Sequence, residues 1–145
     1  MFDDLKGKTA IITGAGKKTG IGYAIAEKFA SRGSQVIIAD LGKIPPPEAA
    51  LKTATYEEMD EIASVLSEKY KVKTLSVAVD VTNNASIDEM MKKIKNNFDR
   101  VDILCNNAGA SFGVPNTVRN YSEADWIKTV DVNLFSVFRV SRAVI

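Results

Sequence analysis

The chain has 145 residues, 46% hydrophobic and 26% charged, with 19 basic residues against 18 acidic ones and a formal charge of +1. That is enough chain for one domain with a sizeable core, and so even a charge balance provides no basic face for nucleic acid or another polyanion. Histidine is absent and cysteine occurs once, at Cys105, which excludes Ser-His-Asp hydrolysis, histidine-ligated metal sites and an internal disulfide framework within these residues.

No apolar run approaches the ~20 residues needed to cross a bilayer. The opening MFDDLKGK lacks the basic-then-apolar layout of a secretory signal. A lone cysteine suits a reducing compartment. The expected setting is therefore cytoplasmic, with no nucleic-acid, membrane or metal partner.

The first element is a strand, KTAIIT (Lys8–Thr13), short and β-branched. It runs into TGAGKKTGIG (Thr13–Gly22), four glycines in ten residues. A helix follows over IGYAIAEKFASRG, with Ile21, Ile25 and Phe29 four apart and Gly33 placed to close it. QVIIAD (Gln35–Asp40) reads as the second strand. The segment LGKIPPPEAALKTATY (41–56) holds three of the four prolines and is expected to be a surface excursion.

YEEMDEIASVLSEKY then places Met59, Ile62, Ala63 and Leu66 on one helical face. TLSVAVD (Thr74–Asp80) is the third strand, and SIDEMMKKIKNNF the next helix, opened by a capping box of Ser86 and Glu89. That helix turns Ile87, Met90, Met91, Ile94 and Phe98 inward. VDILCNN (Val101–Asn107) is the fourth strand, and a last helix starts near SEADW, capped by Ser122, and runs through Ile145. The apolar stripes all read as core.

Strands alternating with helices predict an α/β fold, a doubly wound parallel sheet covered on both faces. One domain is expected over residues 1–145, without internal repeats. The end, FSVFRVSRAVI, carries no Gly, Asn or Pro stop signal, so the fold is expected to be truncated after the fourth strand and its following helix.

A glycine-rich turn between a strand and a helix lets a ligand touch the main chain. The helix start directs unpaired N–H groups and a positive dipole end at that space, which suits a pyrophosphate. The strict G-x-G-x-x-G spelling fails, because the sixth position from Gly14 is Thr19, and no P-loop spacing is present. Asp40 supplies support. It closes the second strand roughly 20 residues on, where an acidic side chain accepts hydrogen bonds from an adenosine ribose.

With these blocks in place, the chain resembles the short-chain dehydrogenases/reductases over essentially its whole length. Thr13 and Gly14 followed by Gly20 and Gly22 resemble the family's T-G-x-x-x-G-x-G opening. Asp80 and Val81 resemble its adenine-contacting pair, NNAG (Asn106–Gly109) its block after the fourth strand, and DWIKTVDVNLFSVF the segment bearing its active-site asparagine, here Asn133. Any one of these arises by chance; all four, in order and each on its expected element, make the likeness specific.

The resemblance implies a Rossmann-like fold and a nicotinamide dinucleotide. Gly14, Gly20 and Ile21 would line the pyrophosphate, and Gly16 and Thr19 of the same loop would also bind the cofactor. Asp40 would hold the adenosine ribose, with Leu41 beside it also binding the cofactor, Asp80 and Val81 would meet the adenine, and Asn107, Ala108 and Gly109 would run beside the nicotinamide-side ribose. Asn133 would be catalytic, positioning a water in the proton relay. The implied reaction is hydride transfer between nicotinamide and a secondary alcohol or ketone, as in a 3-oxoacyl reductase or a small alcohol dehydrogenase, by a homo-oligomer in its full-length form.

Two departures stand out. Five residues separate Gly14 from Gly20 where the motif has three. Lys17 and Lys18, in that enlarged loop, are expected to pair with the cofactor's charge. A carboxylate at Asp40 opposes a 2′-phosphate, so NAD is expected over NADP, although Lys17, Lys18 or Lys43 would offset the repulsion. Second, the family's catalytic serine and Tyr-x-x-x-Lys pair would lie beyond residue 145, and Tyr121 has no lysine four residues later. The 145 residues alone are expected to be inactive. The rival reading is a naturally shortened, non-catalytic dinucleotide-binding protein. An enoyl reductase, whose opening loop is also long, is disfavoured by NNAG.

Overall fold

Short runs of Val and Ile buried on both faces can pair only inside a sheet, and here four of them do. In the computed structural model, which describes residues 5–43 and 53–145, β1 (Thr9–Thr13), β2 (Gln35–Asp40), β3 (Thr74–Ala78) and β4 (Ile103–Cys105) form one sheet in the order β3-β2-β1-β4. Every pairing is parallel, with Ile11 opposite both Ile37 and Leu104. The helices are α1 (Ile21–Ser31), α2 (Tyr56–Tyr70), α3 (Asn84–Asn97), α4 (Glu123–Val130) and α5 (Ser136–Val144).

The two-residue strand period divides the core in two. Ala10, Ile12, Val36 and Ile38 pack with Ala26 and Ala30 of α1 and with Met59, Ile62 and Leu66 of α2. Ile11, Ile37 and Val77 face the other way, onto Ile87, Met90 and Ile94 of α3 and Val140 of α5. This is the expected doubly wound α/β sheet. Asp102 fastens its lower edge: it accepts the Thr9 N–H at 2.9 Å and pairs with Lys8 and Arg100. The Thr9 amide first, then the two cations, hold its carboxyl below the ordinary range.

Several local expectations are corrected. The third strand stops at Ala78 and the fourth spans only Ile103–Cys105. On α1 the buried positions are Gly22, Ala26 and Ala30, whereas Ile21 is 76% exposed. Small residues face the sheet because this helix begins directly against the glycine turn. Helix α3 starts two residues earlier than the proposed capping box: Asn83 is its cap, accepting the Ser86 N–H at 3.2 Å. Ser86 Oγ instead accepts the Asp80 N–H, and Glu89 pairs with Lys92. The capping box belongs to α2, between Thr55 and Glu58. Ser122 caps α4 as expected, accepting the Asp125 N–H.

The final helix is interrupted by a π-helical stretch, Asp131–Phe135. Leu134, Phe135 and Phe138 remain more than half exposed, so the apolar positions there are not core among the described residues. Residues 44–52 of the proline segment lie outside the described residues. No helix of those described is long and apolar enough to cross a membrane.

Candidate functional site

The carboxyl ends of the four strands open onto one cavity of about 360 Å³. Gly14 and Ile21 form its wall beyond β1, Asp40 and Leu41 beyond β2, and Asp80 and Val81 beyond β3. Asn107, Ala108 and Gly109 close it beyond β4. A crevice at this end of an open α/β sheet is where such folds hold ligands.

The glycine turn is shaped first by the chain itself. Gly14 has φ +69° and packs so closely on the β4 loop that a Cβ there would lie 2.8 Å from Ala108 Cα. A Cβ on Gly22 would fall 2.4 Å from the Gly14 carbonyl oxygen and 2.6 Å from Asn107 Nδ2. Thr13 and Asn107 lock the two loops together. Thr13 Oγ1 accepts the N–H groups of Asn107 and Ala108 at 3.1 and 3.0 Å. Asn107 Nδ2 donates to the carbonyls of Thr13 and Gly14 at 2.9 and 3.1 Å. The Asn107 side-chain NH2 is thus committed to the protein, and the segment offers a ligand its backbone, Ala108 and the Asn107 Oδ1 acceptor. Asn106 acts elsewhere, donating from Nδ2 to Ser141 Oγ of α5.

Asp40 is held at both oxygens. Oδ2 accepts the Gly16 N–H and Oδ1 the Leu41 N–H, each at 2.8 Å. Asp80 Oδ1 accepts from the amide and hydroxyl of Thr82, leaving Oδ2 without a protein donor among the described residues. Helix α1 begins with no side-chain cap and no acidic residue in its first turn, whereas α2, α3 and α4 are each capped by a side chain and α5, also uncapped, continues directly from the π-helical stretch. The α1 N–H groups meet the cavity at Ile21, with Gly20 at the cap position.

Not every expected residue reaches the cavity. Gly16 gives its amide to Asp40, and with Thr19 it borders a neighbouring hollow formed with Lys18, Glu58 and Glu61. The two lysines expected to pair with the cofactor's charge are paired within the protein. Lys17 Nζ contacts both Glu58 oxygens, at 2.7 and 2.6 Å, and Lys18 Nζ contacts Glu61 at 2.7 Å. The two extra loop residues lie along α2, latched to carboxylates one turn apart.

Asn133 sits in the π stretch, a feature that often marks functional positions. Its Nδ2 donates to the carbonyls of Ala110 and Thr129 at 2.5 and 2.7 Å, and its Oδ1 lies against Gly109, where a Cβ would approach to 2.7 Å. With both amide hydrogens used, only oxygen acceptors remain to it. Phe112 and Val132 extend the cavity beyond Gly109. Sequence reasoning missed them, although Phe112 follows NNAG by three residues. Tyr121 holds this loop by donating its hydroxyl to the Phe112 carbonyl, while the Phe112 N–H donates to Thr129 Oγ1 at 3.2 Å. Burial pushes the Cys105 thiol above its usual range.

The profile of the family described as short chain dehydrogenase matches residues 8–145. The 3-oxoacyl-[acyl-carrier-protein] reductase FabG of Escherichia coli (strain K12) is 36% identical over 141 residues, 97% of this chain and 49% of that protein. The (2S)-[(R)-hydroxy(phenyl)methyl]succinyl-CoA dehydrogenase subunit BbsD of Thauera aromatica is 33% identical over 140 residues, again 97% and 49% of the two chains. Among solved structures, L-sorbose reductase from Gluconobacter frateurii, complexed with NADPH and L-sorbose, superposes with a TM-score of 0.79 at 30% identity, covering 99% of this chain and 48% of that one. NAD+-bound xylitol dehydrogenase gives 0.79 at 26% identity, covering 97% and 47%. The chain spans about half the length of the curated relatives it matches.

Proposed function

This chain belongs to the short chain dehydrogenases, and from that premise we propose that its cavity binds a nicotinamide dinucleotide, NAD in preference to NADP, for an oxidoreductase acting on a small secondary alcohol or ketone. The observation that carries the reading is Asp40. Its carboxylate stands on the cavity wall at the end of β2, with both oxygens oriented by backbone N–H groups. Fixed in this way, it accepts from the two ribose hydroxyls, and its charge opposes a phosphate at the 2′ position. No lysine offsets that charge from the glycine loop, because Lys17 and Lys18 are paired with α2.

The remaining residues fit the same group. The uncapped start of α1, at Gly20 and Ile21, together with Gly14, receives the pyrophosphate. Gly16 acts through Asp40, and Thr19 borders the loop from the far side. Asp80 and Val81 meet the adenine edge, with Asp80 Oδ2 as the acceptor. The backbone of Asn107, Ala108 and Gly109 lies along the nicotinamide-side ribose.

When bound, the nicotinamide supplies hydride chemistry. The chain's own residues orient it and shield it from water. Phe112 and Val132 provide an apolar wall at the substrate end. Asn133 keeps an oxygen acceptor for a water of the proton relay. We place the substrate proton donor, a serine-assisted tyrosine with its lysine, outside residues 1–145, in a full-length protein that is cytoplasmic and homo-oligomeric. Calorimetric titration with NAD and with NADP tests the reading. Tighter binding of NAD is expected, and the absence of heat with both coenzymes would overturn it.

A further inference from the structure

The relatives include one structure holding NADPH and another holding NAD+, so coenzyme choice varies among them, and this chain carries an ion pair near the residue proposed to read it. Lys17 borders the same cavity as Asp40 and directly follows Gly16, whose amide holds the Asp40 carboxylate. Of the two loop lysines, it is the one that lines the cavity of Asp40, and it also borders the neighbouring hollow. Its ammonium is turned onto both oxygens of Glu58, on the first turn of α2.

We propose that Glu58 sets the coenzyme preference without touching the coenzyme, by holding Lys17 away from the 2′ position of the adenosine ribose. The proposal rests on the dinucleotide reading given above. Glu58 is a positioning residue with two separable tasks. Its Oε2 accepts the Thr55 N–H at 2.8 Å to cap α2, and its charge retains Lys17. Lys17 and the Thr55 amide together keep the Glu58 carboxyl below its ordinary range. Lys18 and Glu61 repeat the pair one turn further along α2, but Lys18 borders the neighbouring hollow and not the cavity of Asp40.

Glu58→Gln separates the tasks, because glutamine still accepts in a capping box while losing the charge. An exposed ion pair is a weak restraint, so releasing Lys17 is expected to tighten NADP binding by about fivefold, with NAD affinity held within about twofold. Lys17→Ala added to Glu58→Gln should erase the gain, and Glu61→Gln should leave the NADP-to-NAD ratio unchanged. Binding constants for both dinucleotides, measured on the intact protein with its melting temperature followed in parallel, read all of these outcomes. Equal weakening of both coenzymes by Glu58→Gln would overturn the proposal and make the pair a plain loop anchor. A gain that survives Lys17→Ala, or that Glu61→Gln reproduces, would also overturn it. If wild type binds NAD and the ratio does not move, only this proposal falls; if wild type binds neither dinucleotide, the site reading falls with it.

Discussion

Asn107→Ala removes the side chain that ties the glycine turn to the β4 loop. Two hydrogen bonds disappear, to the Thr13 and Gly14 carbonyls, and those oxygens lose their donor in a half-buried, tightly packed corner. Each such bond contributes about 1 kcal/mol net, and a carbonyl left unsatisfied adds a further penalty, so a loss of about 2–4 kcal/mol is expected. Water entering the vacated space would place the result at the low end. Asn107→Asp is nearly the same size but sets a carboxylate oxygen against two carbonyls, and should destabilise more than alanine. Urea unfolding followed by far-UV circular dichroism measures both, with an unchanged m-value marking a change in stability alone. A stability within about 0.5 kcal/mol of wild type for Asn107→Ala, together with lost dinucleotide binding, would refute the reasoning and return Asn107 to a direct ligand role.

Further outcomes follow from the same geometry. Gly22→Ala forces a methyl group to 2.4 Å from the Gly14 carbonyl oxygen and should cost about 1–3 kcal/mol, with weaker dinucleotide binding because α1 is pushed from its seat; urea unfolding and calorimetry on one sample check both. Asp102 has a folded-state pKa below its unfolded value, so its contribution is present above the unfolded carboxyl pKa of about 3.9 and lost as pH falls through the folded one. The stability difference between wild type and Asp102→Asn should accordingly shrink as pH drops below about 4, and a difference that stays flat would contradict the assignment. Cys105, with a thiol raised by burial, should be alkylated slowly near neutral pH and at the rate of an ordinary thiol once urea unfolds the chain.

The sheet was legible because β-branched runs buried on both faces leave little choice of partner, and Asp40 because it stands at a strand end at a fixed distance from a glycine turn. Helix boundaries were less so. Ser86 and Glu89 have the spacing of a capping box, but Asn83 competes for the same amide and wins because the chain turns at Asp80 and Thr82 first. Ile21 follows the helical period yet points outward, since Gly22 must face the sheet. The site was legible in its blocks and not in its bonds. Nothing in NNAG tells which asparagine faces a ligand; the carbonyls of Thr13 and Gly14 decide that, and they belong to another strand. The lysine pair looked like free charge because its glutamates lie some 40 residues along the chain. The π stretch around Asn133 has no local sequence signal at all.

The central claim is that Asp40 reads the sugar of a bound nicotinamide dinucleotide, and calorimetry with NAD and NADP on wild type and Asp40→Asn tests it most directly. Asparagine gives up the charge and keeps one oxygen for one of the two backbone N–H groups that hold Asp40, while its NH2 meets the other, so melting temperature is followed alongside binding. Wild type should prefer NAD, and the variant should bind NAD about tenfold more weakly, since hydrogen bonds to a charged group contribute about 1.5–3 kcal/mol, while its discrimination against NADP narrows. Unaltered NAD affinity and an unaltered coenzyme ratio in Asp40→Asn would contradict the account.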